Sequence, residues 1–263
     1  MELSIVMLTW NSDSYLDKCL QSIIQSIHLP PAEYEIFIVD NGSTDQTREQ
    51  IKSYQQRYNN IKSILLDSNT GTTYPRNLAL KASSGKYIAV MDSDIEINPN
   101  TFNTLFTAMQ QNHSAGLVAP KLIYGSGALQ KSTDQFPTLL HKIYRYFFLK
   151  KIEQKEDKSA QHLTTTTVDY AISAFWLFRR ELLDRIGLLD EKYFYAPEDV
   201  DFCLRVWQDG QQVLYVPESQ AIHYAQELSR GLVLNKALAE HLRGMLYFFS
   251  KHRYLIKKPR FTH

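Results

Sequence analysis

Hydrophobic and polar positions form a repeating pattern in the first third of the chain. Four short apolar runs rich in β-branched residues end in small polar or acidic residues, and each leads into a stretch with helical periodicity. The predicted strands are Leu3–Thr9, Glu35–Asp40, Ile61–Leu66 and Tyr87–Asp92, and the predicted helices between them lie near Ser14–Ser26, Thr44–Tyr58 and Tyr74–Ala82. This alternation predicts a parallel sheet whose strands are buried on both faces.

The rest of the chain continues the pattern less regularly. The predicted helices are Pro99–Asn112, Pro137–Lys158, Arg180–Ile186, Glu198–Asp209 and Leu232–Ile256, and the predicted strands are Gly116–Ile123, Val168–Phe178 and Val213–Val216. The charged stretch Lys150–Thr165 overlaps one of these helices and is predicted to form an exposed loop. We therefore predict an α/β fold with one central, mostly parallel sheet flanked by helices, followed by a C-terminal helical tail.

Polar residues follow the carboxyl ends of the first four predicted strands. They are Thr9 and Asn11, Asp40 and Asn41, Asn69 and Gly71, and Asp92 and Asp94. Open α/β sheets bind their ligands at this edge. The sequence therefore predicts that a ligand site is assembled there.

Composition and charge exclude several classes of protein. With 263 residues, 44% of them hydrophobic and 22% charged, the chain can bury a full core. A net charge of +1 creates no global field for nucleic acid, and Cys19 and Cys203 lack the spacing of a disulfide framework or zinc site. We find no signal peptide and no run of apolar residues long enough to span a bilayer. These features indicate a cytoplasmic protein that could touch a membrane from that side.

Asp92-Ser93-Asp94 brings two carboxylates out of the core at one strand end. Their repulsion would be relieved by a divalent cation, and hard oxygen ligands suit Mg²⁺ or Mn²⁺. The alternative is an acidic turn in which Asp94 caps a short helix.

Two further features have both structural and chemical interpretations. Glu198, Asp199 and Asp201 lie in the first turn of a predicted helix, where acids complement the helix dipole, but a carboxylate there could also accept a proton from an attacking hydroxyl. His223 follows the last predicted strand; it is a candidate ligand only if the fold returns it to Asp94.

Taken in order, the motifs resemble the family-two glycosyltransferases, an inverting group with the Rossmann-like A-type fold. The matching segments are 6–11, 39–45, 69–71 with 76–77, 85–88 before Asp92-Ser93-Asp94, 178–180, 187–191 and 198–201. The resemblance spans about residues 3–225. The segment Leu188–Arg205 and the tail segment Tyr247–His252, which lies beyond this span, look most like the rhamnosyltransferase-like branch.

The resemblance implies a donor site for a UDP-, dTDP- or GDP-linked sugar. Thr9, Asp40 and Arg76 would line the nucleoside pocket, with Asp40 bonded to the base and Asp92 on the ribose side. Asn11, Asn69 and Ser93 are assigned to the same donor site. Asp94 and His223 would hold Mg²⁺ or Mn²⁺.

The resemblance also implies an acceptor side. Asp199 matches the general base, which would deprotonate a hydroxyl of a glycan or lipid-linked acceptor, while Glu198, Asp201 and Trp176 would contact that acceptor. We expect residues 1–123 to form the nucleotide-binding half of a domain spanning 1–225, residues 124–225 its acceptor-binding half, and residues 226–263 the tail. Oligomeric state is not predicted.

Aromatic residues alternate with Lys and Arg in segments 144–151 and 247–258. This composition suits an anionic membrane surface, but it also suits a helix that packs its aromatic side chains on the core and solvates its lysines.

Two other functions compete with the glycosyltransferase. A nucleotidyltransferase would use the same acidic pair, but Thr9-Trp10-Asn11-Ser12-Asp13 is not the glycine-rich phosphate loop it requires. A catalytically silent binding or scaffold module would tolerate loss of Asp94 or Asp199, both of which are present.

Overall fold

The computed structural model describes residues 1–138, 164–224, 236–259 and 261, with backbone only at 236–239. Its strands are β1 Leu3–Thr9, β2 Tyr34–Asn41, β3 Ile61–Leu66, β4 Tyr87–Asp92, β5 Ile95–Ile97, β6 Ala115–Tyr124, β7 Thr133–Asp134, β8 Thr166–Thr167, β9 Tyr170–Ala171, β10 Phe175–Arg179 and β11 Gln212–His223. Its helices are α1 Leu16–Ser26, α2 Thr47–Arg57, α3 Thr73–Ala82, α4 Thr101–Gln111, α5 Glu181–Ile186, α6 Glu198–Gln208 and α7 Lys236–His252.

Nine strands form one mixed sheet in the order β3-β2-β1-β4-β10-β6-β11-β5, with β8 paired to β11. The pairs among β1 to β4 and the β6–β11 pair are parallel, whereas β10 runs antiparallel to both its neighbours. Strands from both predicted halves alternate in this sheet. The α/β prediction with a mostly parallel central sheet is confirmed.

Both faces of the sheet are covered around β1, β2 and β4, as their hydrophobic sequences predict. The prediction was wrong for β3, which is partly exposed because it forms an edge of the sheet. In β1, Leu3, Ile5 and Met7 pack into the core on one side, and Val6 and Leu8 into the core on the other. The first core includes side chains of α1, α2 and α4, and the second includes side chains of α3, α6 and α7. The sheet therefore forms the middle of three layers and holds the strand ends rigidly.

Two predicted strands differ from the observed ones. The stretch Val168–Phe178 is not one strand, because β9 pairs with β7 in a separate two-stranded sheet and β10 enters the main sheet. Between them, the carbonyl of Ala174 accepts a bond from the Asp92 amide, 2.9 Å away. The predicted last strand, Val213–Val216, continues to His223 through a register shift between Val216 and Gln220.

The tail helix is observed at Lys236–His252, within the predicted span. Its residues Met245, Phe248 and Phe249 are buried in the second core, so part of the aromatic stretch packs on the domain. Most of the predicted helix Pro137–Lys158, including segment 144–151, lies outside the described residues. Within the described residues, no helix is long and apolar enough to cross a bilayer.

Candidate active site

Parallel pairing brings the polar strand ends together. Thr9 lies opposite Asp40 in the β1–β2 register, and Leu8 lies opposite Asp92 in the β1–β4 register. The three polar side chains therefore end at one edge of the sheet, as predicted for a ligand site.

The sheet also brings His223 to Asp94. β11 runs antiparallel to β5, with His223 opposite Ile95, and the Tyr224 amide donates to the Asp94 carbonyl, 2.9 Å away. His223 Nε2 lies 3.3 Å from Asp94 Oδ1, and Nδ1 lies 2.9 Å from Oε1 of Gln130. The fold thus meets the condition that made His223 a candidate ligand.

Asp92, Asp94 and His223 form a compact donor set, which we call the acidic cluster. One ligand atom from each residue lies within 4.8 Å of the others. The side chains of Asp92 and Asp94 are 31% and 22% exposed, so solvent or a ligand can reach the carboxylates. Two carboxylates and an imidazole suit Mn²⁺ or Mg²⁺, and three protein ligands leave further positions for water or phosphate oxygens.

Electrostatics in the acidic cluster favour a cation. Burial raises the pKa of Asp92. The Arg76 guanidinium lowers it, and the negative charge of Asp94 raises it further. Burial alone would lower the pKa of His223, but its hydrogen bond to Asp94 and the charges of Asp94 and Asp92 raise it. The cluster therefore tends to acquire positive charge, which a divalent ion would supply.

Arg76 joins the acidic cluster to the start of α6. This guanidinium is buried; it lies 2.5 Å from Oδ1 of Asp92 and 3.3 Å from Oε1 of Glu198. Ser173 Oγ accepts a bond from Arg76 at 2.9 Å and donates one to Glu198 at 3.2 Å. Arg76 thus pairs with the buried carboxylate of Glu198 and the partly exposed carboxylate of Asp92, and it fixes the orientation of Asp92.

Asp199 follows Glu198 in the first turn of α6 and is half-buried. Its Oδ1 accepts the Val200 amide at 2.8 Å. Tyr195 lies nearby, with 43% of its surface exposed. Burial of its hydroxyl and the negative charges of Glu198, Asp92 and Asp199 raise the pKa of Tyr195 to about 12. Tyr195 therefore stays neutral and presents an aromatic ring beside the carboxylates.

The predicted nucleoside contacts are tightly enclosed. Asp40 is fully buried; its Oδ2 lies 2.6 Å from Nε of Arg48, and the Ser43 amide donates to both carboxylate oxygens. Thr9 is also buried, and its hydroxyl has no hydrogen-bond partner among the residues that the structure describes. Contact between Asp40 and a base thus requires Arg48 to move, whereas the Thr9 hydroxyl has bonding capacity left.

The other residues predicted to bind the donor, Asn11, Asn69 and Ser93, form hydrogen bonds within the surrounding loops. Asn11 adopts a left-handed backbone conformation at φ 49°, and its side-chain oxygen accepts the Thr44 amide at 2.8 Å. Oδ1 of Asn69 accepts the Gly71 amide at 3.0 Å, and Ser93 is buried with its hydroxyl bonded to that of Ser12 at 2.8 Å.

Gly71 allows the loop before α6 to approach α3. Its φ is +91°, and a Cβ there would lie 2.1 Å from the Phe194 carbonyl oxygen. The Thr72 amide donates to that oxygen at 2.8 Å, and the Thr73 hydroxyl donates to the Tyr193 carbonyl at 2.6 Å. These contacts place the Tyr195–Asp199 segment beside Arg76.

The three residues predicted to contact the acceptor are enclosed by protein in this structure. Trp176 is fully buried, stacked on Phe202 at 5.3 Å, with Nε1 bonded to the Ala171 carbonyl, so it has no surface for an acceptor. Asp201 is fully buried among cationic side chains, and Glu198 is 5% exposed and directed at Arg76. Arg205 lies one helical turn after Asp201, and its Nε is 2.9 Å from Oδ2 of that carboxylate.

Sequence reasoning missed Gln130, Ser173 and Tyr195. Gln130 and Ser173 are single polar residues whose roles depend on long-range contacts with His223 and Arg76. Tyr195 had a usable signal, because an aromatic triplet at 193–195 directly precedes Ala196-Pro197 and the acidic turn.

The mixed sheet and the acidic cluster at its strand ends define an A-type glycosyltransferase fold. The model of the family described as "Glycosyl transferase family 2" matches residues 4–187. This chain belongs to that family.

Two bacterial relatives illustrate the similarity. The poly(ribitol-phosphate) β-N-acetylglucosaminyltransferase TarS of Staphylococcus aureus is 31% identical over 214 residues, covering 74% of this chain and 35% of TarS. The N-acetylglucosaminyl-diphospho-decaprenol L-rhamnosyltransferase of Mycobacterium tuberculosis is 23% identical over 266 residues, covering 95% of this chain and 85% of that enzyme. The chain thus spans about a third of the length of TarS.

Solved structures share the fold. TarS residues 1–349 superpose with a TM-score of 0.61 at 25% identity, covering 85% of this chain and 60% of that one. GalNAc-T7, solved with UDP, GalNAc and Mn²⁺, superposes with a TM-score of 0.64 at 18% identity, covering 85% of this chain and 44% of that one.

Proposed function

We propose that this chain is an inverting, metal-dependent glycosyltransferase that moves a sugar from a nucleotide-sugar donor to an acceptor hydroxyl. The observation that carries the proposal is the convergence of Asp92, Asp94 and His223 at the sheet edge. Arg76 connects this cluster to Glu198, the neighbour of Asp199, so a site for a diphosphate adjoins a carboxylate able to accept a proton.

The proposed donor is a UDP-, dTDP- or GDP-linked sugar. UDP is tested first, because the TarS structures include complexes with UDP and UDP-GlcNAc and GalNAc-T7 was solved with UDP. Residues 1–123 would bind the nucleotide at the ends of β1 to β4, where no described residue bonds the Thr9 hydroxyl. Residues 124–225 would bind the acceptor, and residues 226–263 form the tail.

Mg²⁺ or Mn²⁺ held by Asp94 and His223, together with Asp92, would act as a Lewis acid that neutralises charge on the leaving nucleoside diphosphate. The buried guanidinium of Arg76 holds the partly exposed carboxylate of Asp92 in place through an ion pair. Asp199 would take the proton of the acceptor hydroxyl while its oxygen attacks the anomeric carbon. Because attack comes from the face opposite the diphosphate, the configuration inverts.

The proposed acceptor is a glycan or a lipid-linked sugar of a surface polysaccharide or glycolipid. The relatives' names support this class, since one acts on poly(ribitol-phosphate) and another on a decaprenol-linked sugar. A lipid-linked acceptor would place the enzyme at the cytoplasmic face of a membrane, in peripheral contact with it.

Ligand-induced thermal stabilisation tests the donor site. The protein is melted with UDP-, dTDP-, GDP- and CDP-sugars, each with and without Mn²⁺, as wild type, Asp94→Asn and the control Asp184→Asn. Asp184 is an exposed residue of α5, the helix that follows β10. The end of β10 pairs with the start of β4, so α5 lies at the edge of the sheet opposite the acidic cluster.

One nucleotide class should stabilise wild type and Asp184→Asn only with Mn²⁺, by about 2.7 kcal/mol at a hundredfold excess over Kd. Asp94→Asn should lose this stabilisation. Equal stabilisation of Asp94→Asn, or none in a folded wild type with any of the sugars, would contradict the proposal.

A further inference from the structure

Aliphatic side chains are exposed on the outer face of α7 and in the turn after it. Leu242 and Leu246 are 56% and 74% exposed, and Leu255 and Ile256 are 51% and 65% exposed. Leu242 and Leu246 are four residues apart and share one helix face, while the opposite face packs into the second core. Large aliphatic groups gathered on one exposed surface indicate an interaction site.

A groove of about 880 Å³ joins the helix to this turn. Its apolar lining includes Leu246, Leu255 and Ile256, and Arg253 and Lys257 also line it. Both cationic residues are exposed, and none of the described residues that line the groove is acidic. The groove thus combines apolar contact area with positive charge and is separate from the acidic cluster.

We propose that Leu242, Leu246, Arg253, Leu255, Ile256 and Lys257, which we call the tail surface, bind the surface of an anionic bilayer. The aliphatic groups would enter the boundary between headgroups and acyl chains while the basic groups contact anionic headgroups. A symmetric contact with a second copy fits less well, because a two-fold axis would bring Arg253 and Lys257 of both copies together.

The tail surface is fastened to the helix that carries Asp199. A Cβ at Gly244 would lie 2.6 Å from the Ala196 carbonyl oxygen, so α7 crosses closely over the residues that lead into α6. The buried carboxylate of Asp201 also binds Lys251 at 2.6 Å and His252 at 2.8 Å. A bilayer bound at the tail surface would therefore lie against the same unit as the acceptor side of the site, an orientation that rests on the proposed function.

Vesicle co-sedimentation of the full chain, without donor or metal, tests the tail surface. The vesicles contain either phosphatidylcholine alone or phosphatidylcholine with about one-third phosphatidylglycerol. The variants are Leu246→Ser/Ile256→Ser, Arg253→Gln/Lys257→Gln and the control Leu65→Ser, which alters a 52% exposed leucine of the edge strand β3. All substituted side chains are exposed, and unfolding curves check that each variant is folded.

Wild type and Leu65→Ser should sediment with the anionic vesicles and remain in solution with the neutral ones. The Arg253→Gln/Lys257→Gln variant should bind about 30-fold more weakly, since each basic group contributes about fivefold, and the leucine–isoleucine variant should also lose binding. Equal binding of wild type and both double variants, no binding by wild type, or self-association through this surface would overturn the inference. Donor binding in the same preparations is measured by thermal stabilisation, so the two proposals fail separately.

Discussion

Replacing Asp201 distinguishes a structural role from the acceptor contact that the sequence predicted. Its buried carboxylate bonds Arg205 at 2.9 Å, Lys251 at 2.6 Å and His252 at 2.8 Å, and so ties α7 to α6. Burial by itself would raise the pKa of Asp201, but His252, Arg205 and Lys251 lower it from 3.8 to about 2. Asp201→Asn should therefore reduce stability.

The pKa shift sets the expected magnitude. A pKa that is lowered from 3.8 to about 2 corresponds to about 2 kcal/mol of folding free energy near neutral pH. Because the folded-state pKa is lower than the unfolded one, this contribution is complete above pH 3.8 and is lost as the pH falls toward about 2. About half of it should remain near pH 3.

Urea unfolding of wild type, Asp201→Asn and Asp209→Asn measures the effect. Asp209 directly follows α6 and pairs with Arg185 in a partly exposed contact of 2.8 Å, so its replacement should cost less than about 1 kcal/mol. A deficit in Asp201→Asn no larger than that of Asp209→Asn near neutral pH, or one unchanged near pH 3, would refute the reasoning.

Three further substitutions test the proposed division of roles. Asp199→Asn should lower the rate of nucleoside diphosphate release in the presence of acceptor by about 10²- to 10⁴-fold, because the proton acceptor is lost. Thermal stabilisation by the donor should be retained in this variant. An unchanged rate would exclude Asp199 as the base. Trp176→Ala should lower the free energy of unfolding by about 3–5 kcal/mol because a buried ring is removed, whereas a raised acceptor KM in stable Trp176→Phe would restore the acceptor role. Glu35→Gln removes a buried carboxylate whose pKa Lys62, Ser4 and Ser84 lower from 4.5 to about 2 against the effect of burial. It should cost about 3 kcal/mol in urea unfolding near pH 7. The cost should shrink below pH 4.5 as wild type loses the same contribution; a pH-independent difference would contradict it.

The local pattern of the chain was sufficient for the parallel part of the fold. β1 and β4 begin and end where the apolar runs predict, because buried parallel strands are continuously hydrophobic and their ends are marked by polar residues. The bounds of β3 also match the prediction, although it is a partly exposed edge strand. Connection rules then bring those ends to one edge, so Thr9, Asp40 and Asp92 could be grouped without coordinates.

Long-range pairing decided the rest. His223 meets Asp94 only because β11 passes its irregularity at Val216–Gln220 and pairs with β5, and no local pattern specifies that register. The three acids in the first turn of α6 also differ in burial and in their charge partners. Glu198 pairs with Arg76, Asp201 pairs with Lys251 of α7, and Asp199 remains half-exposed. Sequence alone established which residue types were available for chemistry, whereas the packing of distant segments determined which of them face the site, because solvent access and charge partners depend on tertiary contacts.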